Sequence, residues 1–252
     1  MKKRVIPIVL FVVVVLFLTG AEVLSEGMYY LGVLNSPGIQ IWRWKEANEK
    51  YNLEIPEEAF GSVPVAPKLT EDEKFYGFTA VGLFYGFGDD GEGNADILES
   101  ARKSWEVAEK VYSESSKGDY IKFERGWMRL RPGAPSRPRG FYWKKIRFGG
   151  LGREYESMNE LRKVFFEEGQ TGVGAEAFQL IAIIAPEYVE EERNSIWKLF
   201  EMSIADIDIA PEGDFNFYGV PAIAMDLNDD RLCFHGSDVT AVFPRNGLSV
   251  LW

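Results

Sequence analysis

The sequence predicts an α+β fold: a mixed sheet with helices packed on it, preceded by an N-terminal hydrophobic signal or anchor segment. Three observations predict it. Short apolar runs of strand length interleave with amphipathic helical stretches without strict alternation. Two strand-like segments, at 120–130 and 141–148, follow one another directly, as the arms of a hairpin would. The chain also opens with basic residues and an almost unbroken apolar run.

Lys2, Lys3 and Arg4 precede the run Val5–Leu18, and the small residues Thr19, Gly20 and Ala21 follow it in the manner of a signal-peptidase site. The run is 14 residues, or 17 if extended to Ala21. At ~1.5 Å per residue it reaches the lower edge of what crosses a hydrocarbon core of roughly 30 Å. It reads either as a cleaved signal or as an uncleaved anchor. Basic residues before the run and Glu22 after it place the N-terminus in the cytoplasm by the positive-inside rule. The expectation is an extracytoplasmic protein, secreted or single-pass membrane-anchored. Residues 1–21 are its signal or anchor, and 22–252 a single α+β domain with a less regular part at 22–74.

Charge and cysteine content narrow the class. Of 28 basic and 39 acidic residues, residues 1–21 hold three basic and no acidic ones, leaving 25 against 39 in the remainder. A domain so acidic stays soluble by self-repulsion and is a poor general binder of nucleic acid. Cys233 is the only cysteine, so no disulfide forms within the chain, and between Leu232 and Phe234 it reads as a small buried hydrophobe. Abundant Glu, Lys and Arg beside scarce Gln, His and Cys is a balance found in proteins of hot environments.

Along the chain, Pro37, Pro56, Pro64 and Pro67 punctuate residues 22–74, predicting short helices and an extended crossing from 54 to 70. Phe75–Phe87 is aromatic and β-branched and predicts a strand, followed by the glycine- and acid-rich loop Gly86–Asn94. A helix over Asp96–Ser115 puts Ile97, Ala101, Trp105, Ala108, Val111 and Tyr112 on one face. Strands are expected at Tyr120–Leu130 and Phe141–Phe148, joined by the Arg-, Pro- and Gly-rich stretch 131–140. Glu154–Glu168 predicts a helix, Phe178–Ala185 a short apolar strand, and Pro186 the start of a helix running to Ser203. The segments Ile204–Ile209, Phe215–Met225, Arg231–Phe234 and Val239–Phe243 are strand-like.

Two acidic loops carry calcium-type spacing. Asp90, Glu92, Asn94 and Asp96 place oxygen-bearing side chains at alternate positions, as hard cations such as Ca²⁺ require. The spacing matches the opening of an EF-hand loop, but Ala95 stands in place of the turn glycine and Ala101 in place of the bidentate acid. Equally, Asp96 suits a helix N-cap. Asp226, Asn228 and Asp230 repeat the spacing, and residues of this kind also serve tight turns without any metal. Gly86, Gly88 and Gly91 fit a dinucleotide fingerprint, but a pyrophosphate would lie among Asp89, Asp90 and Glu92, where like charges repel it.

Against the acidic background, Lys122–Arg153 holds ten basic residues and only Glu124 as an acid. Alternate strand residues share a face. Arg125, Trp127, Arg129 and Arg131 thus form one row, and Trp143, Lys145 and Arg147 another. Paired as a hairpin, they predict a cationic, tryptophan-bearing face for an anionic glycan, a lipid head group or an acidic protein. The opposing expectation is that acidic helices cover and neutralise this face.

Hydrolytic machinery is sparse. His235 is the sole histidine, beside Ser237 and Asp238, and no G-x-S-x-G elbow occurs. Asp206, Asp208, Glu212 and Asp214 cluster and allow a carboxylate pair. The sequence therefore predicts a membrane-tethered or secreted binding or structural module, calcium-stabilised at the 90–96 loop. The alternative is a secreted polysaccharide hydrolase using carboxylates beside Trp127 and Trp143.

Overall fold

The computed structural model describes residues 29–114, 121–123, 126–130, 134–147, 171–172, 174–186, 200–201, 207–211, 219–226, 231–238 and 249–251, together with 163 and 167. The expected signal or anchor segment, the 187–199 part of the helix expected from Pro186 and the strand expected at 239–243 lie outside the described residues.

The chain is α+β. Four helices come first: α1 (Tyr29–Leu34), α2 (Pro37–Tyr51), α3 (Glu57–Gly61) and α4 (Glu71–Phe75). Pro37 in the first turn of α2 costs no hydrogen bond there, and Asn52, left-handed at φ 53°, ends the helix. Within the expected extended crossing, α3 forms a short helix. A reciprocal capping box starts α4: Glu73 N–H donates to Thr70 Oγ1 at 3.2 Å, and Thr70 N–H to Glu73 Oε2 at 2.8 Å. Because of that cap the strand expected from Phe75 begins only at Ala80, as β1 (Ala80–Gly86).

The helix predicted after the acidic loop forms as α5 (Ile97–Glu114). Ile97, Ala101, Trp105 and Ala108 are buried on its inner face, as their spacing requires. Next come β2 (Ile121–Phe123), β3 (Gly126–Leu130), β4 (Gly140–Arg147) and β5 (Thr171–Gly172). Residues 178–185 are not a strand: α6 (Glu176–Gln179) continues into a π-helical turn, Leu180–Ile184. Every residue from Ala175 to Ala185 is buried. A short run apolar on all sides fits a buried helix as well as a buried strand, so its pattern could not separate them.

Four further strands, β6 (Phe200–Glu201), β7 (Ile207–Pro211), β8 (Gly219–Asp226) and β9 (Arg231–Asp238), precede β10 (Ser249–Leu251). The strands fall into two sheets rather than one. The first has the order β1-β4-β10-β5, with antiparallel pairs throughout. The second runs β2-β9-β8-β7-β3, with β6 also on β8, and its β2–β9 pair is parallel.

Side chains seal the free edge of β1. Gln40 of α2 donates to the Val81 carbonyl at 2.9 Å and accepts from Leu83 N–H at 2.8 Å. Trp44 Nε1 donates to the Leu83 carbonyl at 2.9 Å. Gln179 of α6 brackets Tyr85, donating to its carbonyl at 2.8 Å and accepting from its N–H at 2.9 Å. Ser100 Oγ does the same for Phe87 at 3.2 and 2.9 Å. Amide side chains thus stand where a neighbouring strand would otherwise pair, leaving no template for another chain along this edge. They also lock α2, α5 and α6 to the sheet around a core that includes Trp44, Phe84 and Phe178.

Candidate functional site

The cationic hairpin does not form. β3 pairs antiparallel with β7, with Arg129 opposite Asp208, whereas β4 pairs with β1. The linker explains the difference. A hairpin needs a short turn, but 131–139 contains Pro132, Pro135 and Pro138. It is also tied to the acidic loop by Ala95 N–H donating to the Arg137 carbonyl at 2.9 Å and by a bridge between Asn94 and Pro138.

The β4 row is covered rather than open to a partner. Trp143 Nε1 donates to the Pro64 carbonyl at 2.7 Å, and Lys145 is paired with Glu73. Arg147 is buried, with its guanidinium 5.8 Å from the Phe78 ring centre and a long 3.4 Å bond to the Tyr76 carbonyl. The hydrogen bond from Lys145 and the Thr70 backbone N–H together hold the Glu73 carboxyl below its ordinary range. In the β3 row, Arg129 is exposed, while the side chains of Arg125 and Trp127 lie outside the described residues. The face expected for an anionic partner is therefore split between two sheets, and its β4 half lies under the 64–78 segment.

The 90–96 loop is closed by its own donors. Asp90 Oδ1 accepts from Glu92 N–H at 2.8 Å and Asn94 N–H at 3.0 Å, and Oδ2 accepts from Asn94 Nδ2 at 3.0 Å. The Asn94 side chain and these backbone N–H groups hold the Asp90 carboxyl below its usual range. Asp96 caps α5, accepting from Leu98 N–H at 2.9 Å and Glu99 N–H at 3.1 Å. Among the described residues, no three acidic, histidine or cysteine side chains converge as metal ligands would.

The second loop joins β8 to β9, with Asp226 opposite Arg231, and Asn228 and Asp230 lie outside the described residues. Of the clustered carboxylates, Asp208 sits in β7, and Asp206, Glu212 and Asp214 are outside the described residues. His235 faces Ala222 in the β8–β9 register.

The structure assembles a charged site that the sequence did not reveal. Glu176, in the first turn of α6, is 1% exposed, and Arg137 and Lys144 are 3% and 1% exposed. Glu176 Oε1 lies 2.5 Å from Arg137 Nε and 2.8 Å from Lys144 Nζ, and accepts from the Tyr142 hydroxyl at 3.1 Å. Oε2 accepts from Gly174 N–H at 3.1 Å. Burial alone would raise this carboxyl, but Arg137 and Lys144 outweigh it and keep the group ionised far below the ordinary range. One signal was legible: Lys144 stands between Tyr142 and Ile146, on the face of β4 that should be apolar. Closed to solvent, the cluster offers no carboxylate to a substrate. What it does is pin the 134–139 linker, β4 and α6 together.

An open groove of about 730 Å³ runs beside α2. Trp42, Arg43, Glu46, Lys50 and Tyr51 form one wall, and the end of the π-helical turn, reaching Pro186, forms the other. Arg43 Nη1 donates to the Ile184 carbonyl at 2.8 Å and ties the two walls together. Two aromatic rings, two cations and two carboxylates, Glu46 and Glu49, thus line one concavity. Comparisons with protein-family models, with curated proteins and with solved structures find no match to this chain.

Proposed function

We propose that this chain is an exported, non-enzymatic binding or structural module, held at a membrane by its N-terminal segment or released from it, with the groove beside α2 as its ligand-facing surface. The groove carries the binding part of the reading. Its size falls in the range of roughly 300–1,000 Å³ used by small-ligand sites. Its lining offers flat aromatic area from Trp42 and Tyr51 beside Arg43, Glu46 and Lys50, all on one helix braced to the sheet. Such a surface suits a short peptide or glycan of mixed polarity, with stacking giving area and the charges giving orientation. Export is supported by Lys2, Lys3 and Arg4 ahead of the Val5–Leu18 run. Asp90 accepts three N–H bonds from its own loop, so the 90–96 turn holds its shape without a cation, and calcium there would add stability rather than be required.

A C-terminal alkaline phosphatase fusion, which is active only outside the cytoplasm, tests export: activity that depends on residues 1–21 is expected, and an inactive fusion rules the reading out. A mixed array of oligosaccharides and short peptides tests the groove. A ligand held there is retained by the parent protein and lost in Trp42→Ala, whereas undiminished retention by that variant places binding elsewhere.

A further inference from the structure

We propose that the exposed apolar tip of α2, formed by Ile39 and Trp42, rests on the membrane that holds the N-terminal run, so that the groove opens at the lipid headgroup layer. This deepens the reading above and rests on residues 5–21 remaining in the bilayer as an anchor.

Apolar residues surround α2 rather than forming one stripe. Gln40, Trp44 and Ala47 are buried against the sheet, yet Trp42, on the opposite side of the helix, is 54% exposed and Ile39 is 42% exposed. Three positions apart, the two are neighbours on the helix surface. The chain brings this tip close to the anchor. The apolar run ends at Ala21 and α1 begins at Tyr29, leaving seven residues between them. Fully extended, such a link reaches about 25 Å. α1 adds only ~9 Å at the usual helical rise, and α2 starts three residues after it.

The chemistry fits a lipid interface. Tryptophan concentrates at headgroup level, where its ring is half apolar and its N–H is wet. Further along the exposed side of α2, Lys45 and Lys50 balance Glu46 and Glu49, so the surface is near neutral and suited to zwitterionic rather than anionic lipid. Among the described residues a second exposed apolar pair, Phe75 and Tyr76, follows Glu71, Asp72 and Glu73 and lies far along the chain from the anchor.

The test uses the full chain in phosphatidylcholine nanodiscs with Cys233→Ser and one spin label at a time, through Ile39→Cys, Trp42→Cys, Arg102→Cys or Leu16→Cys. Expected are more frequent collisions with oxygen than with a water-soluble nickel complex at 16, 39 and 42, and the reverse at 102. Labels at 39 and 42 that behave like 102 while 16 stays lipid-like overturn the inference and leave the anchor standing. A water-like label at 16 removes the anchor and the inference together. Spin–spin broadening at 39 or 42 assigns the tip to a second copy of this chain instead. A measurement without the cysteine changes compares quenching by bromine-labelled phosphatidylcholine in the parent and in Trp42→Phe. Quenching is expected to fall in the variant, and an unchanged value overturns the inference.

Discussion

Replacing Glu176 by glutamine isolates the buried charge cluster. The substitution keeps the shape of the side chain and one acceptor oxygen, enough for either the Tyr142 hydroxyl at the Oε1 position or the Gly174 N–H at the Oε2 position. It removes the negative charge that faces Arg137 at 2.5 Å and Lys144 at 2.8 Å, all three groups being at most 3% exposed. Breaking a buried ion pair by removing one partner costs about 3–5 kcal/mol, because the remaining charge is left uncompensated in a poorly polarisable interior. Here two cations are stranded, so the upper part of that range is expected. A domain of this size shifts by about 2–4 °C per kcal/mol, so a loss of about 4–5 kcal/mol gives a fall in Tm of roughly 8–20 °C. Against a typical total of about 5–15 kcal/mol the loss is severe. The assay is urea unfolding of the full chain in non-ionic detergent, comparing the parent, Glu176→Gln and a triple variant with Arg137→Met, Lys144→Met and Glu176→Leu. The triple variant is expected to recover most of the loss, since an apolar replacement of a whole buried cluster is often neutral. A Glu176→Gln midpoint within about 1 kcal/mol of the parent would show that the three groups are not isolated from water, and would refute the reasoning.

Gln40→Leu removes the side-chain partner of the β1 edge, leaving the buried Leu83 N–H and Val81 carbonyl without it. Each unpaired buried group costs roughly 1–3 kcal/mol, so a loss of at least about 2 kcal/mol in urea is expected, with faster hydrogen exchange at Leu83. A loss below about 0.5 kcal/mol, as for neutral surface changes, contradicts a sealed edge. Acid titration gives a third check. Glu176 and Glu73 are both held below their ordinary values. Around and below the unfolded-state value of about 4.3 the unfolded chain binds more protons than the folded one, so stability is complete above that pH and falls as pH drops through it. The urea midpoint should decline between about pH 5 and pH 3, and less steeply in Glu176→Gln. A midpoint that holds or rises over that range contradicts the assigned pairs.

What was legible in the sequence was local. The 97–114 helix announced itself through its spacing of Ile97, Ala101, Trp105 and Ala108 and through Asp96 at its start. The acidic loop before it also declared both its turn residues and its cap. A Thr70–Glu73 capping box stands in the sequence as well, but the aromatic run after it carries the stronger strand pattern.

By itself the sequence determined the α+β class, the surplus of acid, the N-terminal basic and apolar pattern, and the positions of the strands that became β1, β4, β8 and β9. Only the tertiary structure decided which strands meet and where the charges go. Arg137 and Glu176 are 39 positions apart, and Tyr85 and Gln179 are 94 apart. Alternation along a strand reports which residues share a face, but nothing about what that face will meet. The basic stretch therefore looked like an outward cationic hairpin until β4 joined β1, the 64–78 segment covered one of its faces, and Glu176 drew Lys144 and Arg137 into the core. Long-range pairing is settled by which buried polar groups find partners, and that accounting closes only in three dimensions.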